Sequence, residues 1–302
     1  MRLHRRFNSL PSCFGLALLL LLLLLCSSSY ARAQPQQQAR TDPPEVAALN
    51  TIFRQWGLRA SPAWNISGEP CSGVALNQTF EFEDRLDPDR NPGITCDCSY
   101  NNGTVCHIIR LSVYSQNVVG QIPEELQNLT YLTDLTASDN DFSGRIPDFI
   151  GSFSNLEKLQ MGDLVGGSSS LAFIANMTSL STLTLRNCRI SDNLASVDFS
   201  KFVELGYLDL SFNSITGEVP PVLLNLRLLK SLFLGNNNLS GSLPETKKSS
   251  FAVDSGGKKN IRGSDKSDYE SDDADLLGAS YYVSSSTGWG VSNTGTGLMR
   301  VA

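Results

Sequence analysis

The stretch LDLSFNSITGEVP, residues 208–220, decides the fold, because the same pattern recurs along the chain. It returns as LFLGNNNLSGSLP, residues 232–244, with its leucine pair, asparagine and proline in the same places. Six pairs of this kind start 24 or 25 residues apart, namely Leu111/Val113, Leu135/Ala137, Leu159/Met161, Leu183/Leu185, Leu208/Leu210 and Leu232/Leu234. A fixed period of this length predicts a solenoid, in which neighbouring units stack to share one core.

A second position, five residues after the start of each pair, completes the pattern. It holds Gln116, Asn140, Leu164, Cys188, Asn213 and Asn237. Asn can donate to and accept from buried turn backbone, whereas Leu164 can do neither, so we expect an irregular third coil. The spacing L-x-x-L-x-L-x-x-N/C-x-L is the mark of a leucine-rich repeat. It predicts an α/β repeat fold, in which each L-x-L segment is a short strand with inward leucines.

Four repeats continue into G-x-I-P or a near variant. Their glycines are Gly120, Gly144, Gly217 and Gly241. The longer L-x-x-N-x-L-x-G-x-I-P pattern resembles the plant-type leucine-rich repeat, which implies a solenoid of six such repeats over residues 108–244. A chance leucine periodicity in a helical protein is disfavoured, because helices do not tolerate a proline that recurs from repeat to repeat.

The first 33 residues have the features of a secretory signal peptide. A basic head precedes the apolar run Phe14 to Cys26, and Ala31-Arg32-Ala33 offers a cleavage site. The run is shorter than the roughly 20 residues that span a bilayer, so an uncleaved anchor is the weaker alternative. We therefore expect the chain to enter the secretory pathway and reach the extracellular space or apoplast.

Charge and cysteine content narrow the function. The chain has 24 basic and 30 acidic residues, and losing residues 1–33 removes four of the basic ones. A net negative chain without clustered Lys and Arg is not expected to bind nucleic acid.

Outside the cell, Cys71, Cys96, Cys98 and Cys106 are expected to form two disulfides. Of three possible connectivities we favour Cys71–Cys96 with Cys98–Cys106, and a metal site is a poor rival.

Residues 34–107 are expected to form a cap on the first coil. Asp42 is predicted to be a helix N-cap and Glu45 to complete a capping box, and Gly57 should end the helix. Apolar residues follow at helical spacing, namely Val46, Leu49, Ile52, Phe53 and Trp56. A helix with this apolar face would cover the open end of the solenoid, as terminal units require.

Six N-x-S/T sequons make the chain a candidate glycoprotein. They are Asn65, Asn77, Asn102, Asn128, Asn176 and Asn238. A glycan must remain in solvent, so each used sequon would mark surface that is closed to tight docking of a partner.

The strand residues that point away from the core are the candidate binding residues. In register they form three columns, which should line the concave side of the solenoid, and we call this side the strand face. The residues with most binding potential there are Arg110, Tyr114, Asp134, Lys158, Gln160, Arg186, Tyr207, Asp209 and Phe233. Tyr207, Asp209 and Phe233 are the expected anchor patch. The alternative is a merely solvated strand surface.

Residues 245–302 lose the repeat and are rich in Ser, Gly and Asp. Segments such as Phe251 to Gly257, Ala279 to Val283 and Trp289 to Asn293 resemble the opening strands of a malectin-like domain. With Cys71-Ser72-Gly73 and Cys96-Asp97-Cys98-Ser99 in the cap, the chain resembles plant leucine-rich-repeat receptor-like Ser/Thr kinases that carry a malectin-like domain. An incomplete sandwich of this length is expected to be poorly ordered and to leave the edge of the last coil open.

The resemblance implies an extracellular module that binds a peptide, protein or carbohydrate ligand, together with a co-receptor, in cell-surface signalling. The chain lacks the kinase motifs G-x-G-x-x-G, H-R-D and D-F-G, so we expect neither catalytic residues nor a cofactor or metal. Two alternatives remain open: a secreted inhibitor or decoy for cell-wall enzymes, and a truncated gene product without function.

Overall fold

The computed structural model describes residues 39–60, 62, 64–73 and 93–241, together with the backbone of 253–254, 261–262, 268–269 and 291–292. The predicted signal peptide, the sequon at Asn77 and most of the malectin-like segment lie outside these residues. None of the helices in the described part has both the length and the apolar character that crossing a lipid bilayer requires.

The regular elements of the cap precede those of the coils. The cap contains β1 (Arg40–Thr41), α1 (Pro43–Gln55) and β2 (Gly93–Ser99). The coils contain β3 (Val105–Ser112), β4 (Val119–Gly120), β5 (Asp134–Ala137), β6 (Asp141–Phe142), β7 (Lys158–Gly162), β8 (Thr182–Arg186), β9 (Tyr207–Asp209), β10 (Thr216–Gly217), α2 (Pro221–Leu224), β11 (Ser231–Phe233) and β12 (Asn238–Leu239). The 3-10 helices are Glu124–Asn128, Asp148–Ser152, Leu171–Asn176, Leu194–Ser196 and Phe199–Lys201. Four strands follow: β13 (Val253–Asp254), β14 (Ile261–Arg262), β15 (Asp268–Tyr269) and β16 (Val291–Ser292).

One main sheet runs through all the coils. Its order is β1-β3-β5-β7-β8-β9-β11-β13-β16, with β2 added antiparallel to β3. The other pairings along this path are parallel, and equivalent leucines face each other, as in Leu183↔Leu208. A second set of short parallel pairs, β4 with β6 and β10 with β12, joins the coils after the strands.

The leucine pairs form the core, as the pattern predicts. All twelve paired residues are at most 3% exposed. Phe142, Phe199 and Phe202 are the largest side chains of this core, and all three are fully buried. Because one side of each strand is sealed in this way, the side chains on the other side form the strand face.

Asn side chains join each coil to the preceding one. In Asn140, Oδ1 accepts from the backbone N–H of Gln116 and Val118, and Nδ2 donates to three carbonyls, including that of Val113. Asn213 repeats this arrangement, and Asn237 does so with one accepted backbone N–H, that of Ile215. Each Asn therefore satisfies backbone groups of two coils at once.

The third and fourth coils depart from this arrangement. The Cys188 thiol replaces the donor half of Asn and points at the carbonyls of Met161 and Arg186. A thiol is a poor acceptor, and the Leu164 N–H donates instead to the carbonyl of Asn187 at 3.0 Å. The irregularity expected at Leu164 is therefore a change of hydrogen-bond partner, and Leu164 itself is buried.

Helix α1 packs against the first coils through its apolar side. Leu49, Ile52 and Phe53 are buried, and the Trp56 ring lies 5.3 Å from the Phe142 ring. Gly57 follows the helix with φ +65°, a conformation that suits glycine. Disulfides Cys71–Cys96 and Cys98–Cys106 tie this region to β2 and β3. This is the pairing favoured from the sequence.

The predicted capping box is wrong. The Asp42 side chain makes no capping hydrogen bond, and the Asp42 N–H donates to the carbonyl of Cys106. The Glu45 carboxylate makes no capping hydrogen bond either, because its oxygens bond to His107 and Ile108. It is 1% exposed and turns towards His107 and Ile108 instead.

The prediction of an open edge at the last coil is wrong. Strand β13 pairs in parallel with β11, with Val253 opposite Leu232, and β16 pairs with β13. The main sheet therefore continues past the repeats into the C-terminal segment.

Candidate ligand-binding surface

The structure brings seven of the nine predicted binding residues into two continuous columns on the strand face, and Tyr114 and Arg186 lie outside these two columns. Arg110, Asp134, Lys158, Thr182, Tyr207 and Ser231 are successive strand partners and are all half-buried. Ser112, Thr136, Gln160, Thr184, Asp209 and Phe233 form the next column. The period of 24 or 25 residues produces this alignment, since each coil adds one parallel strand in register.

The first column combines charge with an aromatic end. Lys158 Nζ lies 3.4 Å from Asp134 Oδ2, and both side chains are partly exposed. Near the other end, the Tyr207 ring lies 5.4 Å from the ring of Phe233, a residue of the second column, and the two rings are tilted by 41°. Half-buried aromatics of this kind offer a ligand apolar area without a large loss of side-chain entropy.

Side chains in the second column are more buried than a sequence pattern can indicate. Gln160 is 3% and Asp209 4% exposed. Asp209 Oδ1 accepts from both the backbone N–H and the hydroxyl of Ser211, at 2.9 and 2.6 Å. One oxygen of this predicted anchor is thus already engaged within the protein.

Arg186 has the most unusual surroundings on the strand face. It is 5% exposed, and its guanidinium carbon lies 4.1 Å from the centre of the Phe212 ring. Its Nη2 has no hydrogen-bond partner, and the same is true of Thr184 Oγ1 and Asp163 Oδ2. Burial is the main cause that raises the pKa of Asp163, against a hydrogen bond from Asn187 and the charge of Arg186.

Sequence reasoning missed Phe212 and Asp163. The position four residues after each pair starts holds Ser115, Asp139, Asp163, Asn187, Phe212 and Asn236, and every one has a positive φ. Asn and Asp adopt this backbone readily, whereas a bulky residue there is an outlier. The break in this series at Phe212 is the signal that could have found it.

A second polar cluster lies in the cap. Asp42, Glu45 and His107 place ligand atoms within 4.8 Å of one another, a donor set that can hold a divalent ion. Both Glu45 oxygens are already used, Oε1 with His107 Nδ1 at 2.8 Å and Oε2 with the Ile108 N–H at 2.7 Å. His107 also stacks on Tyr131 at 3.6 Å. The cluster therefore joins α1 to β3.

Neither the thiol nor the histidine of the described region is placed for nucleophilic chemistry. Cys188 is fully buried, and burial raises the pKa of its thiol well above the ordinary value. His107, the one histidine among the described residues, is bonded to Glu45.

The described sequons are all exposed, namely Asn65, Asn102, Asn128, Asn176 and Asn238. Each side chain is thus accessible to a glycan, which is a requirement for its use.

Fold and surface together define the class: a leucine-rich-repeat solenoid whose strand face carries polar and aromatic side chains. The Leucine Rich Repeat family matches residues 204–226 and 228–247. The chain is similar to two probable LRR receptor-like serine/threonine-protein kinases of Arabidopsis thaliana. One is 48% identical over 102 residues, 34% of this chain and 10% of the relative. The other is 42% identical over 121 residues, 40% of this chain and 11% of the relative.

The chain thus spans about a tenth of the length of these curated relatives. Among solved structures, it is similar to the LRR ectodomain of the receptor kinase SOBIR1 from Arabidopsis thaliana, with 24% identity and a TM-score of 0.37. That match covers 68% of this chain and 87% of the ectodomain.

Proposed function

We propose that this chain is an extracellular binding module of the kind found in the ectodomains of plant receptor-like kinases, and that it acts in cell-surface signalling. The observation that carries the proposal is the strand face itself. One side of every coil strand is sealed by leucine, while the other presents Tyr207, Phe233 and a row of charged side chains. A solenoid with such a face can bury an extended ligand without rearranging its core.

The similarity to receptor-like kinases supports this proposal, since part of those sequences aligns with this chain at 42–48% identity. A peptide, protein or carbohydrate ligand and a co-receptor are the proposed partners. Tyr207 and Phe233 are the proposed anchors, because aromatic residues that a ligand buries completely contribute most to binding energy.

Capture from the extracellular fluid of plant tissue tests the strand face. The full-length chain, produced through a secretory pathway, is immobilised as wild type, as the double variant Tyr207→Ala with Phe233→Ala, and as a control. The control is Val165→Ala with Val203→Ala, which removes two exposed apolar side chains outside the columns. We expect a component whose retention falls at least about tenfold in the aromatic variant only.

Equal retention by all three proteins would contradict binding through Tyr207 and Phe233. Phosphate transfer from ATP to Ser or Thr by this polypeptide alone would contradict the proposal of a binding module without catalysis.

We further propose that the chain is secreted, that it carries glycans at exposed sequons, and that residues 245–302 derive from a malectin-like domain. Five exposed sequons support the second point. Enzymatic removal of N-glycans from the secreted protein should lower its mass by several glycan units. An unchanged mass would show that the sequons are vacant.

A further inference from the structure

A groove lies on the flank of the solenoid, formed by residues that follow the strands of the third, fourth and fifth coils. Its volume is about 430 Å³, which is within the size range of pockets that hold small ligands. The residues that shape it include Gly167, Ser168, Arg189, Ser191, Phe212 and Ser214. We call it the flank groove. None of these residues belongs to the columns of the strand face.

The third coil leaves room for the groove because it carries no side chains at this point. Gly166 and Gly167 have φ +75° and +71°, a backbone region that suits glycine. A Cβ on Gly167 would lie 2.8 Å from the carbonyl carbon of Gly144, so a larger residue does not fit unless the backbone moves. One side of the flank groove is therefore bare backbone.

The other walls of the flank groove combine an aromatic ring with polar groups. The Arg186 guanidinium covers one face of the Phe212 ring at 4.1 Å, so the opposite face is the one that a ligand can meet. Arg189 Nε donates to the Leu164 carbonyl at 3.1 Å, which fixes this guanidinium beside the groove. Hydroxyl groups come from Ser168, Ser191 and Ser214. A neutral sugar suits this set, since its C–H groups pack on an aromatic ring and its hydroxyl and acetamido groups pair with polar side chains.

The sequon at Asn238 lies next to this groove. Arg189, Ser214 and Asn238 are equivalent positions of successive coils, each six residues after the first leucine of its pair. The Asn238 N–H donates to the carbonyl of Ile215 at 2.8 Å, so the fifth and sixth coils are in contact here. Arg189 and Ser214 both line the groove, and Asn238 is exposed. By the symmetry of the repeat, the Asn238 side chain leaves the solenoid on the same flank.

We propose that the first sugars of an N-glycan on Asn238 lie in the flank groove. Parallel strands are about 4.8 Å apart, so the fourth coil is about 10 Å from Asn238. Chitobiose, the pair of N-acetylglucosamine units at the base of an N-glycan, can cover this distance. Its acetamido and hydroxyl groups pair with Arg189 and the serine hydroxyls, and a pyranose ring packs on Phe212. The inference rests on the proposed glycosylation, and it gives one sequon a fixed glycan.

Site-resolved removal of glycans from the native full-length secreted protein tests this inference. An N-glycosidase is added, and peptide mass spectrometry follows the loss of each glycan with time. The other occupied sequons are the internal controls, among them Asn176, which is exposed at the end of a 3-10 helix. We expect release from Asn238 to be at least about tenfold slower than from these sites, because a docked glycan must first leave the groove. This difference should disappear when the protein is unfolded.

Phe212→Asn is the decisive variant. Asn stands at the equivalent position of the two neighbouring coils, Asn187 and Asn236, with a positive φ, so the variant keeps a suitable residue for this backbone. Without the ring, release from Asn238 should be severalfold faster, while release from the other sequons is unchanged. Phe149→Ala removes a half-buried aromatic side chain that does not line the groove, and it should behave as wild type.

NMR of the protein with ¹³C-labelled glycans measures the contact directly. An NOE between a sugar proton and an aromatic ring should be present in wild type and absent in both Phe212→Asn and Asn238→Gln. Free N,N′-diacetylchitobiose provides a second measurement. It should bind Asn238→Gln at least about tenfold more tightly than it binds glycosylated wild type, because the attached glycan competes for the groove.

Several outcomes would overturn the inference. They are an Asn238 that carries no glycan, release from Asn238 as fast as from the other sequons, release that is unchanged in Phe212→Asn, or an equal response of wild type and Asn238→Gln to free chitobiose. If Asn238 is vacant or its glycan is mobile while other sequons carry glycans, this inference alone is wrong. The proposed binding function is tested separately, by the capture that depends on Tyr207 and Phe233.

Discussion

At the scale of single residues, buried polar side chains decide where this fold is most sensitive. Glu45 connects α1 to β3 through His107 and the Ile108 N–H, at 2.8 and 2.7 Å. Its position on the buried side of the helix, in line with Ala48, Leu49 and Ile52, resembles a core position rather than a cap. The carboxylate is retained there because the incoming strand supplies donors for both oxygens.

Replacing Glu45 with alanine should lower the free energy of unfolding by about 3 kcal/mol, because a buried backbone N–H and an imidazole each lose their partner. Urea unfolding of the variant measures this loss. Glu124→Ala is a suitable control, since Glu124 is exposed at the start of a short 3-10 helix. Similar losses in the two variants would show that the Glu45 contacts add little to stability.

The effect of pH on Glu45 has a defined sign. Burial is the largest cause that raises its pKa above 4.5, and it acts against the hydrogen bonds from Ile108 and His107. A raised pKa in the folded state means that the contribution to stability is greatest below pH 4.5 and is lost as the pH rises through the folded value. The stability of wild type relative to Glu45→Gln should therefore fall over this window. A difference that stays constant or grows with pH would contradict this.

At the scale of the repeat element, asparagine holds adjacent coils together. Asn140 uses one side chain to satisfy groups of two coils, and Asn213 and Asn237 do the same. At the same position in its coil, the Cys188 thiol still donates to backbone carbonyls, but it does not accept from backbone N–H groups as asparagine does. The sequence predicts this substitution, because a small side chain with one donor can occupy the same buried place.

Asn140→Ala should lower the free energy of unfolding by about 3 kcal/mol, because backbone donors and acceptors in the turn then remain buried without partners. Thermal and urea unfolding would measure the change. Asn155→Ala provides the matched control, because Asn155 is exposed in the following coil. If the two variants have the same unfolding temperature and urea midpoint, the Asn140 hydrogen bonds are replaced by other contacts.

At the scale of the whole molecule, the two edges of the main sheet decide how readily the chain associates with other chains. The disulfide-tied cap lies at the front of the solenoid, and β13 pairs with the last coil strand, β11. A parallel sheet that grows one strand per coil always has two such edges, and an unpaired edge promotes association with other chains.

Val253→Pro removes a backbone donor from β13 and should therefore weaken its pairing with β11. We expect more self-association of the full-length protein, seen as greater light scattering on mild heating. Val253→Ala keeps the backbone donor and should scatter like wild type. Equal scattering by all three proteins would show that β13 does not protect this edge.

Much of the architecture was predictable because the repeat makes it local. The leucine pairs, the strand columns and the place of Cys188 follow from a spacing that can be counted along the chain. The malectin-like and signal-peptide interpretations stay predictions, since they concern residues outside the described region. The capping box failed because Asp42 and Glu45 both bond to the incoming strand, which a local motif cannot anticipate.

The sequence by itself determined the solenoid, since one parallel strand in each 24-residue unit can hide its leucines only by stacking on its neighbours. Only the tertiary structure decided which strand-face residues are open and which are buried. Asp209 is bonded to Ser211, whereas Arg186 is buried beside Phe212 with one nitrogen unpaired. The physical reason is that burial and pairing depend on the coils on either side, and those contacts appear only when the coils are stacked.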